Sequence, residues 1–265
     1  TLDENGKRRK INLIAHSFGG PTVMMLIHLL YEGDEQERNA TPESELSDLF
    51  RGGKTDWVHA VTTLAATHNG VTLPEVGKPL LPAVEKMFLN TAATLGRTKF
   101  TKVFDFHLEQ FGISDPDGSL IPKKTPEVKD GIRHYMSLNE DNIFYELGTK
   151  GYKQIKEKYG IKTYDNIYYM AYGGTRTKKF LFTDLQIPAK QMNNGLKLFG
   201  FVEGMCPFTP KEWRANDGLV NIPSVVPEGA QQAAFDKKEN CRPGIWYTFP
   251  TEFKDHVSYM GIGED

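Results

Sequence analysis

Little in this 265-residue chain is extreme, and each shortage excludes something. Only two cysteines are present, Cys206 and Cys241. They make no disulfide framework and lack the paired spacing of a zinc site, so one bridge or two buried thiols both stay open. No apolar run approaches the roughly 20 residues that a membrane helix needs. No block of like charge stands out: 32 Lys+Arg face 34 Asp+Glu, formally −2. The short basic cluster Lys7-Arg8-Arg9-Lys10 leads directly into an apolar stretch, which argues against nucleic acid as the main partner. Glycine, proline and aromatic contents are ordinary, which excludes a collagen-like or disordered polymer. No repeat or low-complexity segment is present. The chain opens on Thr1 without a signal peptide and runs almost at once into a strand, so an upstream portion is expected.

What is there is enough for one large domain with a substantial core, or for two small ones. Ile11-Asn12-Leu13-Ile14-Ala15 suits a buried parallel strand. A tight turn, His16 to Gly20, follows, and Pro21 sits where a first helical turn tolerates it. Thr22 to Leu30 then reads as a buried helix. Trp57–Ala65 is a second strand, rich in β-branched residues. Residues 74–100 carry Leu81, Val84 and Phe88 on one stripe, the pattern of an amphipathic helix or of a plain core helix. Another helix is expected near 149–159, a third strand at Asn166–Tyr172 and a fourth at Gly244–Phe249. Between the last two, the chain reads as irregular as far as Trp213. Short apolar strands alternating with helices indicate the α/β class with a mostly parallel sheet.

The most informative residues are Ala15-His16-Ser17-Phe18-Gly19. A serine between small residues, after a strand and before a helix, describes a nucleophile elbow. Such a turn lifts the hydroxyl above the sheet, and small residues two positions to either side avoid clashes. The Phe18 N–H and the positive end of the helix dipole can stabilise an oxyanion. The plain alternative is a strand–turn–helix with a capping serine; the second glycine, Gly20, and the flanking elements favour the elbow.

A serine hydroxyl needs a histidine to take its proton and an acid to orient that histidine. In α/β-hydrolases the chain order is serine, acid, histidine. His16, His28, His59 and His68 lie on or beside the first two strands and their helix and are read as structural. His256, after the last strand, stands where the order places the base. Asp217, in the turn Asn216-Asp217-Gly218, is the candidate acid, although an ordinary turn aspartate would look the same. Asp255 competes with it but adjoins His256 and points elsewhere.

The blocks INLIAHSFGG, VTTLAATHNG, FDFHLEQFGI, WRANDGLVNI and KDHVSYMG occur in the order found in the large secreted lipases of staphylococci and thermophilic bacilli, and the chain resembles that family over most of its length. The alanine ahead of the elbow is itself typical of the group. The resemblance implies an α/β-hydrolase fold over 1–265, with a helical lid and inserted subdomain at about 74–165 and without the N-terminal strands. It implies a triacylglycerol or carboxylester hydrolase acting on lipid esters at an oil–water interface, outside the cell, with Ser17 as nucleophile, Asp217 as acid and His256 as base. No cofactor enters the chemistry. An esterase or phospholipase of the same fold, or an inactive fragment that only binds apolar ligands, are the alternatives.

The resemblance also implies two structural metals. Asp141 matches one zinc ligand, but the other three would lie upstream of Thr1, and one carboxylate cannot hold zinc. The calcium site would use a carbonyl near Gln191 and acids just after the histidine. Ser258 and Gly263 occupy those acid positions, with Glu264 and Asp265 shifted, so altered ligands or no calcium are expected. Thr67 stands where the family has proline. The second oxyanion donor would also lie upstream, leaving Phe18 alone.

Overall fold

The structure, a computed structural model, describes residues 4, 6, 8–77 and 142–262. Residues Thr1–Val76 with Leu147–Asp265 form one compact unit and Gly77–Glu146 a second. Most of the expected helix at 74–100 and of the lid region, Asp141, and the shifted acids Glu264 and Asp265 lie outside the described residues.

The chain begins with β1 (Ile11–His16) and α1 (Gly19–Tyr31), then α2 (Glu35–Ala40) and β2 (Val58–Leu64). A single helical turn, α3 (Leu73–Val76), precedes the second unit; α4 (Ile143–Leu147) lies at that unit's end, and α5 (Thr149–Tyr159) follows it. The remaining elements are β3 (Tyr168–Tyr172), the hairpin β4 (Thr177–Lys179) and β5 (Gln186–Pro188), α6 (Lys197–Met205), β6 (Gln232–Ala234) and β7 (Trp246–Thr248).

The main sheet runs β1-β2-β3-β7-β6, and each of its pairings is parallel. This agrees with the α/β class expected from alternating strands and helices. The core explains the order. Met24, Ile27 and Leu30 of α1 recur at helical spacing and meet Val58 and Val61 of β2, Tyr169 of β3 and Trp246 of β7. Tyr169 and Trp246 stack with ring centroids 4.7 Å apart across neighbouring strands. At about 25 cal/mol per Å² of apolar area, these fully buried rings are a large part of what holds the sheet centre together. β1 is the edge strand among the described residues, and Ile14 on it is 74% exposed.

Two expectations are corrected. The stretch before Trp213 is not irregular: it holds the antiparallel β4–β5 hairpin and α6. Helix α6 escaped notice because its inward side is Gly200, Glu203 and Gly204, while Leu198 and Phe201 face out. Gly-to-strand contact is the reason: a Cβ on Gly204 would lie 2.3 Å from the Gln186 carbonyl oxygen of β5. The strand at 244–249 is also not the fourth but the last of several, because β4, β5 and β6 carry little apolar alternation. Cys206 and Cys241 are both free thiols.

Candidate active site

The turn after β1 has the backbone its composition demands. Ser17 sits at φ +58°, a left-handed conformation that costs a non-glycine residue of order 1–3 kcal/mol. Both sides of the turn fix it: the Ser17 N–H donates to the Leu64 carbonyl at the end of β2 (3.0 Å), and the Ser17 carbonyl accepts from the Gly20 N–H (3.0 Å). The tight approach is at Gly20, where a Cβ would stand 2.6 Å from Ala66 Cβ and 3.1 Å from His68 Cε1. Gly19 is less constrained, since a Cβ there would be an ordinary 3.6 Å from Ala15 Cβ. The small-residue requirement, expected at Ala15 and Gly19, is therefore strictest one residue later. Phe18 is the N-cap of α1, and no carbonyl among the described residues accepts its N–H.

Asp217 and His256 are brought together from 39 residues apart. His256 Nδ1 lies 2.9 Å from Asp217 Oδ2, with both residues nearly inaccessible to solvent. The other carboxylate oxygen, Oδ1, accepts from the Leu219 N–H (3.0 Å) and the Val220 N–H (2.7 Å). The backbone repeats the link: the His256 N–H donates to the Asp217 carbonyl (3.0 Å). With Nδ1–H donated to the carboxylate, the His256 lone pair is on Nε2, the state a general base requires.

Asn216 builds the acid's turn. Its Oδ1 accepts from the Gly218 N–H (2.9 Å), and its Nδ2 donates to the carbonyls of Arg214 (2.9 Å) and Gly200 (3.3 Å). Gly218 is required: it adopts φ +105°, and a Cβ would meet Leu196 Cβ at 2.7 Å.

Serine turn and histidine meet through His16, a residue read from the sequence as structural. Its Nε2–H donates to the His256 carbonyl (3.0 Å), and the two rings lie 4.5 Å apart. Burial and the neighbouring His256 ring hold the His16 pKa below the ordinary histidine value, so His16 donates as a neutral imidazole. The Ser17 hydroxyl itself is bonded to none of the described residues; such contacts commonly tighten only when substrate binds. A histidine directly ahead of the elbow serine was the available signal for His16. Asn216, directly ahead of the candidate acid, gave a similar one.

Asp255, the rival carboxylate, is engaged elsewhere. Its Oδ2 accepts from the Asn193 N–H (2.8 Å), and its Oδ1 accepts from both the N–H (3.1 Å) and the hydroxyl (2.9 Å) of Ser258. It thus ties the histidine's loop to the turn that carries Gln191. A hydroxyl stands at 258, one of the two acid positions of the calcium site that the resemblance implies. Among the described residues no group of three or more His, Cys, Asp or Glu could hold a metal ion. Gln191 lies in an exposed turn after β5.

A cavity of about 860 Å³ opens elsewhere, lined by His68, Asn69, Val225 and Phe249 among others; none of Ser17, Asp217 or His256 lines it. Burial drives the His68 pKa down to about 3, so that ring is neutral.

Comparison with known proteins gives the same family over nearly the whole chain. The family model described as "Lipase-like, C-terminal domain" matches residues 3–265. Lipase 1 of Staphylococcus aureus is 31% identical over 263 residues, covering 96% of this chain but 36% of that protein. Among solved structures, Staphylococcus hyicus lipase superposes with a TM-score of 0.74 at 27% identity, over 96% of this chain and 64% of that one. Lipase 1 from Pelosinus fermentans gives 0.73 at 28% identity, over 99% and 69%. EstA from Clostridium botulinum gives 0.71 at 27% identity, over 95% and 60%. The chain thus spans little more than a third of the staphylococcal proteins it matches in sequence.

Proposed function

Since the chain belongs to the family of lipase-like C-terminal domains, we propose that it is the catalytic part of a serine hydrolase that cleaves carboxylic esters of lipids, triacylglycerols among them. The observation that carries this reading is the buried Asp217–His256 pair, linked through His16 to the left-handed serine turn. As in the secreted lipases the sequence resembles, the substrate is met at an oil–water interface outside the cell. No helix among the described residues is long and apolar enough to cross a membrane.

In this mechanism His256 Nε2 takes the Ser17 proton as Oγ attacks the ester carbonyl carbon. The negative oxygen that forms is held by the Phe18 N–H at the start of α1; a single such donor is worth about 10²–10³ in rate. Asp217 stabilises the imidazolium, which then protonates the departing alcohol. Water, activated by the same histidine, attacks the acyl-Ser17 ester and releases the fatty acid. No metal takes part in these steps.

The test is covalent. A fluorophosphonate probe should label Ser17, and Ser17→Ala should lose both labelling and p-nitrophenyl ester turnover. Full turnover in the Ala variant would refute the assignment. Absence of labelling in the unmodified protein would favour a scaffold that binds apolar ligands without reaction.

A further inference from the structure

The β4–β5 hairpin ends in three consecutive apolar side chains, two of them largely exposed. Phe180 is 37% exposed, Leu181 72% and Phe182 as exposed as in an open peptide, at 106%. A soluble surface rarely groups large apolar side chains without a partner. Their display is built, not loose. The Phe180 N–H donates to the Leu185 carbonyl (2.8 Å), and the Phe180 carbonyl accepts from both the N–H (3.1 Å) and the hydroxyl (2.6 Å) of Thr183. Leu181 is forced to φ +51°, where a glycine or asparagine would be relaxed and a leucine is strained. Strain maintained to hold a leucine in water implies a use for it.

Charge around the tip has one dominant sign. Thr177–Lys190 carries Lys178, Lys179 and Lys190 against the single acid Asp184, which lies 3.7 Å from Lys179. All three lysines are exposed. An apolar tip with lysines behind it is matched to one environment, an interface with hydrocarbon below and negative headgroups above.

The hairpin also reaches the candidate catalytic acid. At its base, the Asn216 N–H donates to Thr177 Oγ1 (3.2 Å), the Arg176 N–H donates to the Asn216 carbonyl (3.0 Å), and Thr175 Oγ1 donates to that same carbonyl (3.0 Å). Asn216 precedes Asp217, so the tip's direction and the site's orientation are set by one framework.

From these observations we infer that Phe180, Leu181 and Phe182, with Lys178 and Lys179, form an anchor that inserts into an anionic lipid surface and orients the serine site toward it. It deepens the reading of the protein as a lipid-ester hydrolase, but its binding arm does not depend on that reading.

The test uses the full chain and vesicles of phosphatidylcholine mixed with phosphatidylglycerol, against phosphatidylcholine alone. The double variant Leu181→Asn/Phe182→Ser retains the turn, because asparagine accepts positive φ. It should bind the mixed vesicles about tenfold to a hundredfold more weakly. Lys178→Glu/Lys179→Glu should weaken binding to the mixed vesicles by at least about fivefold per lysine, and much less to phosphatidylcholine alone. A separate Phe182→Trp variant should shift its emission to the blue on adding mixed vesicles. Turnover of soluble p-nitrophenyl acetate should be unchanged in the double variant while hydrolysis of emulsified triacylglycerol falls. Unchanged vesicle affinity in the double variant, or an unmoved tryptophan spectrum, would overturn the anchor. Loss of self-association in the ultracentrifuge with vesicle binding intact would overturn it in favour of a second copy of the chain. If the unmodified protein binds vesicles through the tip yet hydrolyses no ester, the anchor stands and the proposed reaction falls.

Discussion

The two halves of the candidate site are held in opposite ways. The acid–histidine corner is buried and bonded many times over: Asp217 accepts from Leu219 N–H, Val220 N–H and His256, and Asn216 ties its turn to α6. Among the described residues the serine turn follows the edge strand, is half exposed, and is held by one backbone bond to β2, one within the turn, the His16 bond to the His256 carbonyl and a strained φ. Buried polar networks fix orientation because every alternative leaves a group unsatisfied. A strained turn fixes position because the surrounding close contacts leave it no other course. The contrast teaches where each substitution should be felt. Changes at the acid corner should act on chemistry with the fold retained, and changes at the turn should act on the fold itself.

In the proposed mechanism, removing the Ser17 hydroxyl removes the nucleophile. A sharper probe of the comparison is Asp217→Asn. The two N–H groups of Leu219 and Val220 must still be accepted, so the amide oxygen takes the place of Oδ1 and the amide NH₂ faces His256 Nδ1. That forces the histidine proton onto Nε2 and leaves no base for the serine. The expected loss in kcat is about 10⁴-fold with the fold preserved. A small loss in kcat, with the unfolding midpoint lowered instead, would mean that the corner is structural.

The turn gives the next effect in size, and it should split between adjacent glycines. Gly20→Ala places a methyl 2.6 Å from Ala66 Cβ, and should destabilise by about 1–3 kcal/mol. Gly19→Ala meets Ala15 at 3.6 Å and should be neutral, or stabilising by up to about 1 kcal/mol through helix propensity. Urea midpoints of the two variants decide it; equal losses at both would show that the packing of α1 on the sheet is not the constraint.

This unevenness also explains what could be read from the sequence. β1, β2, β3, α1 and α5 were legible as short apolar or β-branched runs and helical stretches, but β1, expected to be buried, leaves Ile11 and Ile14 47% and 74% exposed because no strand covers its outer side among the described residues. The elbow was legible because a strand, a serine among small residues and a helix occur in immediate succession. Asp217 and His256 could be chosen by chain order, but their 2.9 Å contact depends on a turn built by Asn216 and Gly218 and on long-range bonds that no local pattern encodes. His16 was read as structural because a histidine on a strand ordinarily is; only its stacking on His256 gives it a place in the site. The hairpin and α6 were missed because their apolar residues face outward, reversing the rule by which amphipathic elements are recognised.

A further effect, which grows with pH, lies where α6 meets the acid corner. Glu203 is fully buried on the inward side of α6. Its Oε1 is 3.3 Å from Thr72 Oγ1, and its Oε2 has no partner among the described residues. Burial, with Asp217 and then Glu75 as nearby negative charges, pushes its carboxyl well above the ordinary glutamate range. In the unfolded chain Glu203 ionises near the ordinary value; in the folded one it keeps its proton. Its contribution is therefore complete below the unfolded pKa and is lost as pH rises, by about 1.4 kcal/mol per pH unit, until the folded-state pKa is reached. Glu203→Gln retains an oxygen for Thr72 and removes the titration. The stability of the Gln variant relative to the unmodified protein should rise by that slope above about pH 4.5. Urea unfolding at two pH values reads the difference directly. Parallel pH profiles would mean that Glu203 ionises in the folded protein, which would set a second negative charge beneath Asp217 and weaken the claim that the acid corner is fixed by its hydrogen bonds alone.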